Sequence, residues 1–156
     1  DHDRWSDQAP SSTVITLGGN DGVSKASTDY VCYAWTEIQG YSKFGSYAGN
    51  GNADGPFVYT GFKPAWVMIK RTAGTDHWYI YDIARAESKG NEVDIAIEAS
   101  NANVEFDTSG DLDFLSNGFK NRGSITVTNA NGETYIYMAF AEHPFVSSKG
   151  VPVTAR

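Results

Sequence analysis

The feature that most constrains this chain is a two-residue rhythm of apolar side chains. Ser124-Ile125-Thr126-Val127-Thr128 and Thr134-Tyr135-Ile136-Tyr137-Met138-Ala139-Phe140 are rich in β-branched and aromatic residues and carry no helical spacing. Between them stands Asn129-Ala130-Asn131-Gly132, whose Asn-Gly pair tolerates positive φ, so the sequence predicts a β-hairpin. Further strands are expected over 43–47, 57–59, 65–71, 77–83, 93–99 and 111–115. Clusters of Gly, Asn, Asp or Pro separate most of them about every ten residues, the rhythm of a sandwich or barrel. Only 83–88 leans towards helix, and it is too short to change the class. The expectation is an all-β chain: an antiparallel, jelly-roll-like β-sandwich.

An internal echo adds organisation. Tyr30-Val31-Cys32-Tyr33-Ala34-Trp35-Thr36-Glu37 aligns without gaps on Tyr135-Ile136-Tyr137-Met138-Ala139-Phe140-Ala141-Glu142. Each copy follows a β-rich stretch (13–17 and 124–128) and precedes an aromatic, a Ser-Lys pair and a Gly. Residues 1–40 are therefore expected to form an N-terminal segment with a β-hairpin, the tail of a preceding repeat. Residues 41–156 are expected to form the main sandwich. An unpaired hairpin must cover its apolar side, on the main sheet or on a neighbouring chain, so a homo-oligomer is expected.

Charge excludes some partners. With 12 Lys and Arg against 19 Asp and Glu, the net charge is −7, which argues against nucleic acid or an anionic membrane surface. No apolar stretch approaches the roughly 20 residues of a membrane-spanning helix. Nothing at the N-terminus reads as a signal peptide, and the opening Asp1 suggests a fragment or processed product. The lone Cys32 rules out an internal disulfide framework and reads as a small core-facing thiol in mid-strand.

Two long runs resemble a known group. Residues 40–47 (Gly-Tyr-Ser-Lys-Phe-Gly-Ser-Tyr) and 49–71, from Gly49-Asn50-Gly51-Asn52-Ala53-Asp54-Gly55-Pro56 to Trp66-Val67-Met68-Ile69-Lys70-Arg71, are similar to a repeat in structural proteins of tailed bacteriophages. So are Asp113-Phe114-Leu115-Ser116-Asn117-Gly118-Phe119-Lys120 and 135–145. The resemblance covers residues 30–156 and offers no catalytic residues. It implies a tail-fibre or other virion-surface component, often found beside lectin-like domains, whose partners are other virion subunits.

Site chemistry is sparse. Asn50, Asn52 and Asp54 ahead of Gly55 have the alternate oxygen spacing that opens a calcium loop. The twelfth position from Asn50 is Gly61, however, where a bidentate carboxylate belongs, so a solvated Asn/Gly turn is expected and no cofactor. Asp107, Asp111 and Asp113 read as a surface connector. His2, His77 and His143 have no zinc spacing, and no nucleophile elbow or phosphate loop occurs. Glu92, Asp94, Glu98 and Glu105 supply the only candidates for a glycosidase pair, and acidic β-proteins form such pairs freely. The chain is expected not to be an enzyme.

Aromatics are in excess: 4 Trp, 9 Tyr and 8 Phe. In a strand Trp78 and Ile80 share one face and Tyr79 and Tyr81 the other, and a sandwich core uses only one. Trp66 and Phe140 are expected in the core. His77, Trp78, Tyr79 and Tyr81, with Asp76 and Arg85 as polar neighbours, are the expected exposed patch for a ligand, with a host-surface glycan as its chemistry. The expected role is a tail-fibre or spike module on the virion surface. An architectural subunit whose rings contact other subunits is the alternative, and a polysaccharide-degrading enzyme a distant third.

Overall fold

The computed structural model describes residues 2–86, 90–146 and 152–153. The chain divides into two units, Asp1–Trp35 and Thr36–Arg156.

The first unit holds two single helical turns, α1 (His2–Trp5) and α2 (Asp21–Ser24). Asn20 caps α2, its side chain accepting from the Gly22 N–H at 2.8 Å. Gly18 N donates to Arg4 O and Asn20 N to Asp3 O, tying the glycine loop to α1. The expected N-terminal hairpin does not form: neither 13–17 nor 30–37 is strand. Alternation makes a strand only where a partner offers its backbone, and here local bonds intervene. The Ser11 hydroxyl takes the N–H groups of Thr13 and Val14, and the Tyr30 phenol donates to Asp21 O and accepts from Lys25 N. Cys32 is exposed, on irregular backbone, and not a core thiol.

The second unit is all-β. Its strands are β1 (Ser42–Ala48), β2 (Phe57–Tyr59), β3 (Pro64–Arg71), β4 (Tyr79–Asp82), β5 (Glu92–Glu98), β6 (Phe106–Leu115), β7 (Gly118–Asn121) and β8 (Thr134–Ala141), with a helical turn, α3 (Thr126–Asn129), before the last. They form one antiparallel sheet in the order β1-β8-β3-β4-β5-β6-β7-β2. The sheet curls until it is nearly closed into a barrel, and Tyr47 of β1 meets Phe119 of β7 edge-on with centroids 5.9 Å apart. Bulges supply part of that curvature: the register shifts between Pro64 and Trp66 and between Val93 and Ile95, and Ser109 and Gly110 take positive φ inside β6. A two-residue pair, β9 (Phe145–Val146) and β10 (Pro152–Val153), lies outside the main sheet.

The core lines the inside of the curl. Val67 and Ile69 of β3, Tyr79 and Tyr81 of β4, Val93 and Ala96 of β5, Leu112 and Phe114 of β6, and Tyr135, Tyr137 and Ala139 of β8 are all buried. The expected strands at 43–47, 57–59, 65–71 and 93–99 match β1, β2, β3 and β5 within a residue. The stretch 124–128 departs from expectation, giving α3 instead of a hairpin partner, while β8 pairs with β1 and β3. Tertiary bonds override its β-branched composition: the Tyr135 hydroxyl donates to Thr126 O at 2.5 Å and accepts from Ala130 N at 2.8 Å, and Tyr47 donates to Thr128 O at 2.7 Å. The helical lean at 83–88 yields a turn at 83–85, and its residues 87 and 88 lie outside those described, as do 148–150 of the echo.

Candidate functional site

The outer face of the sheet carries an organised set of side chains that the core does not use. In an antiparallel sheet, directly opposed residues share a face. Phe44 opposes Met138, Met138 opposes Met68, Met68 opposes Ile80, and Ile80 opposes Ile97. One apolar row therefore crosses five neighbouring strands, and every member is half-buried. A second row sets Phe140 beside Trp66, centroids 5.6 Å apart, with Asp82 opposite Trp66. Phe44 and Tyr41 meet the Phe140 ring edge-on at 6.1 and 5.8 Å. Trp66 and Phe140 are thus not core residues, because past the bulge at Pro64 even-numbered positions of β3 and β8 point away from the buried Val67, Ile69, Tyr137 and Ala139.

On the side of the first row away from Trp66 and Phe140 lies a groove of about 310 Å³ lined by Phe44, Gly45, Met68, Trp78, Ile136, Tyr137 and Met138. Its wall is almost wholly apolar. Gly45 leaves room for the Tyr137 ring, since a Cβ there would sit 3.0 Å from it.

The structure divides the expected patch. Trp78 stands at the outer groove, half-buried. Tyr79 and Tyr81 face the core instead, as strand alternation requires; Tyr81 is fully buried. The Tyr79 hydroxyl donates to Glu98 Oε1 at 3.0 Å, and burial together with that carboxylate pushes its pKa up to about 12. His77 is exposed, its Nδ1 2.9 Å from Ser100 Oγ. Asp76 pairs with Arg71 at 2.5 Å, and Arg85 pairs with Glu105 at 2.7 Å. The six residues do not form one surface.

The calcium candidates are engaged in turn bonds. Asn50 Oδ1 accepts from Asn52 N, Asn52 Oδ1 from Asp54 N, and Asp54 pairs with Lys120 at 2.7 Å. That lysine holds the Asp54 carboxyl below its ordinary range. Among the described residues no group of three His, Cys, Asp or Glu side chains is placed to hold a metal ion.

The remaining carboxylates have separate environments. Glu98 accepts from Asn101, Asn103 and Tyr79, and these bonds lower its pKa. The run 107–113 belongs to β6 rather than to a surface connector: Asp107 takes the Ser109 N–H, Asp113 pairs with Arg122 at 3.3 Å, and Asp111 is buried. Burial pushes the Asp111 carboxyl up to about 6. Sequence reasoning missed the cross-strand rows because opposition depends on the register of β1, β8, β3, β4 and β5, which no local pattern contains.

No curated protein and no solved structure matches the chain. A family model, described as Domain of unknown function (DUF7483), matches residues 1–144. The chain therefore belongs to the DUF7483 family, a domain of unknown function.

Proposed function

We propose that this chain is a non-enzymatic structural module of a tailed-phage virion surface protein, and that its outer sheet face packs against neighbouring subunits. The observation that carries the reading is the five-strand row from Phe44 to Ile97 with its apolar groove. A nearly uninterrupted apolar wall suits another protein surface better than a sugar, which needs polar groups beside each ring. The likeness of residues 30–156 to tailed-phage structural repeats supports the setting, a tail fibre or spike.

A host-contact role with a glycan ligand is the second reading, and a different place favours it. Phe57 and Tyr59 of β2 are exposed, with Lys120 opposite Phe57 and Asp54 on Lys120, so rings stand beside polar groups.

Sedimentation of the full chain tests the first reading. Self-association that Phe44→Ser and Ile136→Ser weaken at least tenfold supports it; a monomer at all concentrations, indifferent to both changes, overturns it. A glycan array probed with the wild type and Tyr59→Ala decides the second.

A further inference from the structure

β1 is an edge strand with one side open. Ala141 N donates to Tyr41 O at 2.9 Å and Gly49 N to Glu133 O at 2.8 Å, so odd-numbered residues of β1 turn their backbone towards β8. Ser42, Phe44, Ser46 and Ala48 turn theirs the other way. The chain begins to use that edge itself. After the turn at Gly40 (φ 75°), Ile38 and Ser42 form an antiparallel bridge, with Ser42 N donating to Ile38 O at 2.9 Å.

The pairing then stops for a visible reason. Glu37 Oε1 accepts from Phe44 N at 3.2 Å, where a continuing strand would place a backbone carbonyl, and Lys43 Nζ holds Oε2 at 2.9 Å. Beyond this plug Ser46 and Ala48 have no backbone partner on the open side among the described residues. Such an edge is a template for another strand.

The same sequence holds a segment of the right pattern. Val31, Tyr33 and Trp35 are 79, 74 and 55% exposed, and the rings of Tyr33 and Trp35 stack at 6.1 Å. Residues 30–37 repeat the residue pattern of β8, the strand that β1 pairs along its closed side.

We propose that residues 30–35 of one copy add as a strand to the open edge of β1 in a second copy, linking copies head to tail. Donor and acceptor are different surfaces of the molecule, so the contact is heterologous, and copies that each pass the segment onward to a further copy build chains or rings. The contact uses neither the Phe44-to-Ile97 row nor the groove, so it stands or falls apart from the outer-face reading.

Cysteine chemistry tests it in the full chain, because Cys32 lies within the donor segment and is the one cysteine present. Under mild oxidation by oxidised glutathione the wild type can form dimers at most. Ser46→Cys adds a thiol on the acceptor edge, and the expected result is a non-reducing ladder of trimers and higher species. In parallel, Tyr33→Lys and Ser46→Pro are expected to weaken self-association at least tenfold by sedimentation. Proline is tolerated at a sheet edge, and Tyr33 is outside the sheet, so both variants keep the fold. An intrachain disulfide in Ser46→Cys, or self-association untouched by Tyr33→Lys, overturns the proposal.

Discussion

Asn50 and Asn129, 79 positions apart, hold each other through two hydrogen bonds: Asn50 N donates to Asn129 Oδ1 at 2.8 Å, and Asn129 Nδ2 donates to Asn50 Oδ1 at 3.1 Å. The same Nδ2 donates to Asn52 O and Gly123 O, both at 2.9 Å, and Asn129 is fully buried. One amide thus pins the 50–55 loop and the 123–130 connection. Asn129→Ala removes these four bonds from a buried position and is expected to cost about 3 kcal/mol in denaturant unfolding. Asn129→Asp loses the donors and adds a buried charge, and is expected to cost at least as much.

The two faces of β4 predict unequal mutations. Tyr81→Ala opens a core cavity and is expected to cost about 4 kcal/mol, whereas Trp78→Ala on the outer face is expected to cost about 1 kcal/mol. Among the described residues the buried Tyr81 hydroxyl has no hydrogen-bond partner, so Tyr81→Phe is expected to be neutral or stabilising by up to about 1 kcal/mol. Urea midpoints of the three variants check the order.

Asp111 predicts a pH dependence of definite sign. Its carboxyl titrates near 6 in the folded chain against about 3.9 unfolded, so between these values the folded state binds the proton more strongly. Stability from this group is full below about pH 4 and is lost as pH rises through 6, a difference of about 3 kcal/mol. Glu98 has the opposite sign: its pKa is lowered, so its contribution is present at neutral pH and fades on acidification. Asp111→Asn is expected to remove the Asp111 component. Denaturant unfolding of wild type and variant at pH 4, 5, 6 and 7 should therefore show curves that diverge upward in pH, with the variant the more stable at pH 7.

Gly118 predicts a local failure. A Cβ there would lie 2.1 Å from Val58 O, and Gly118 opposes Tyr59 across the β2–β7 ladder. The obstacle is backbone, so Gly118→Ala is expected to undock β2, with a loss of about 3 kcal/mol. Hydrogen exchange at the β2 amides should quicken before that of β3 or β8.

Cys32 is exposed and is expected to react stoichiometrically with a thiol reagent in the folded chain, without the lag that opening of a core would impose.

The sequence was legible where strands announce themselves through side-chain alternation. β3 and β5 were readable from Trp66-Val67-Met68-Ile69 and Val93-Asp94-Ile95-Ala96-Ile97, and the opposite facings of Trp78 and Tyr79 followed from the pleat alone. Partner choice was not legible. The run 124–128 has strand composition, yet the hydroxyls of Tyr47 and Tyr135 capture its carbonyls into α3. Residues 30–37 share the pattern of β8 but meet no backbone partner among the described residues, so the same residue types stay exposed in one place and central in the other. Of the expected patch, only Trp78 joins the outer groove; Trp66 and Phe140, read as core, belong to that outer face, because alternation separates two faces without saying which is inside.

The pairing of β1 with β8 has a consequence for synthesis. β1 is the first of the eight strands to leave the ribosome, while its sheet neighbour β8 is made last of the eight, on the order of 90 residues later, which at ~5–20 residues per second is several seconds or more. β3 waits less long for its β8 side, on the order of 65 residues. Throughout that interval the nascent chain presents Phe44, Trp66 and Met68 without the strand that joins them, so a ribosome-associated chaperone has its longest window here, and truncation before Thr134 leaves a product that cannot complete its sheet.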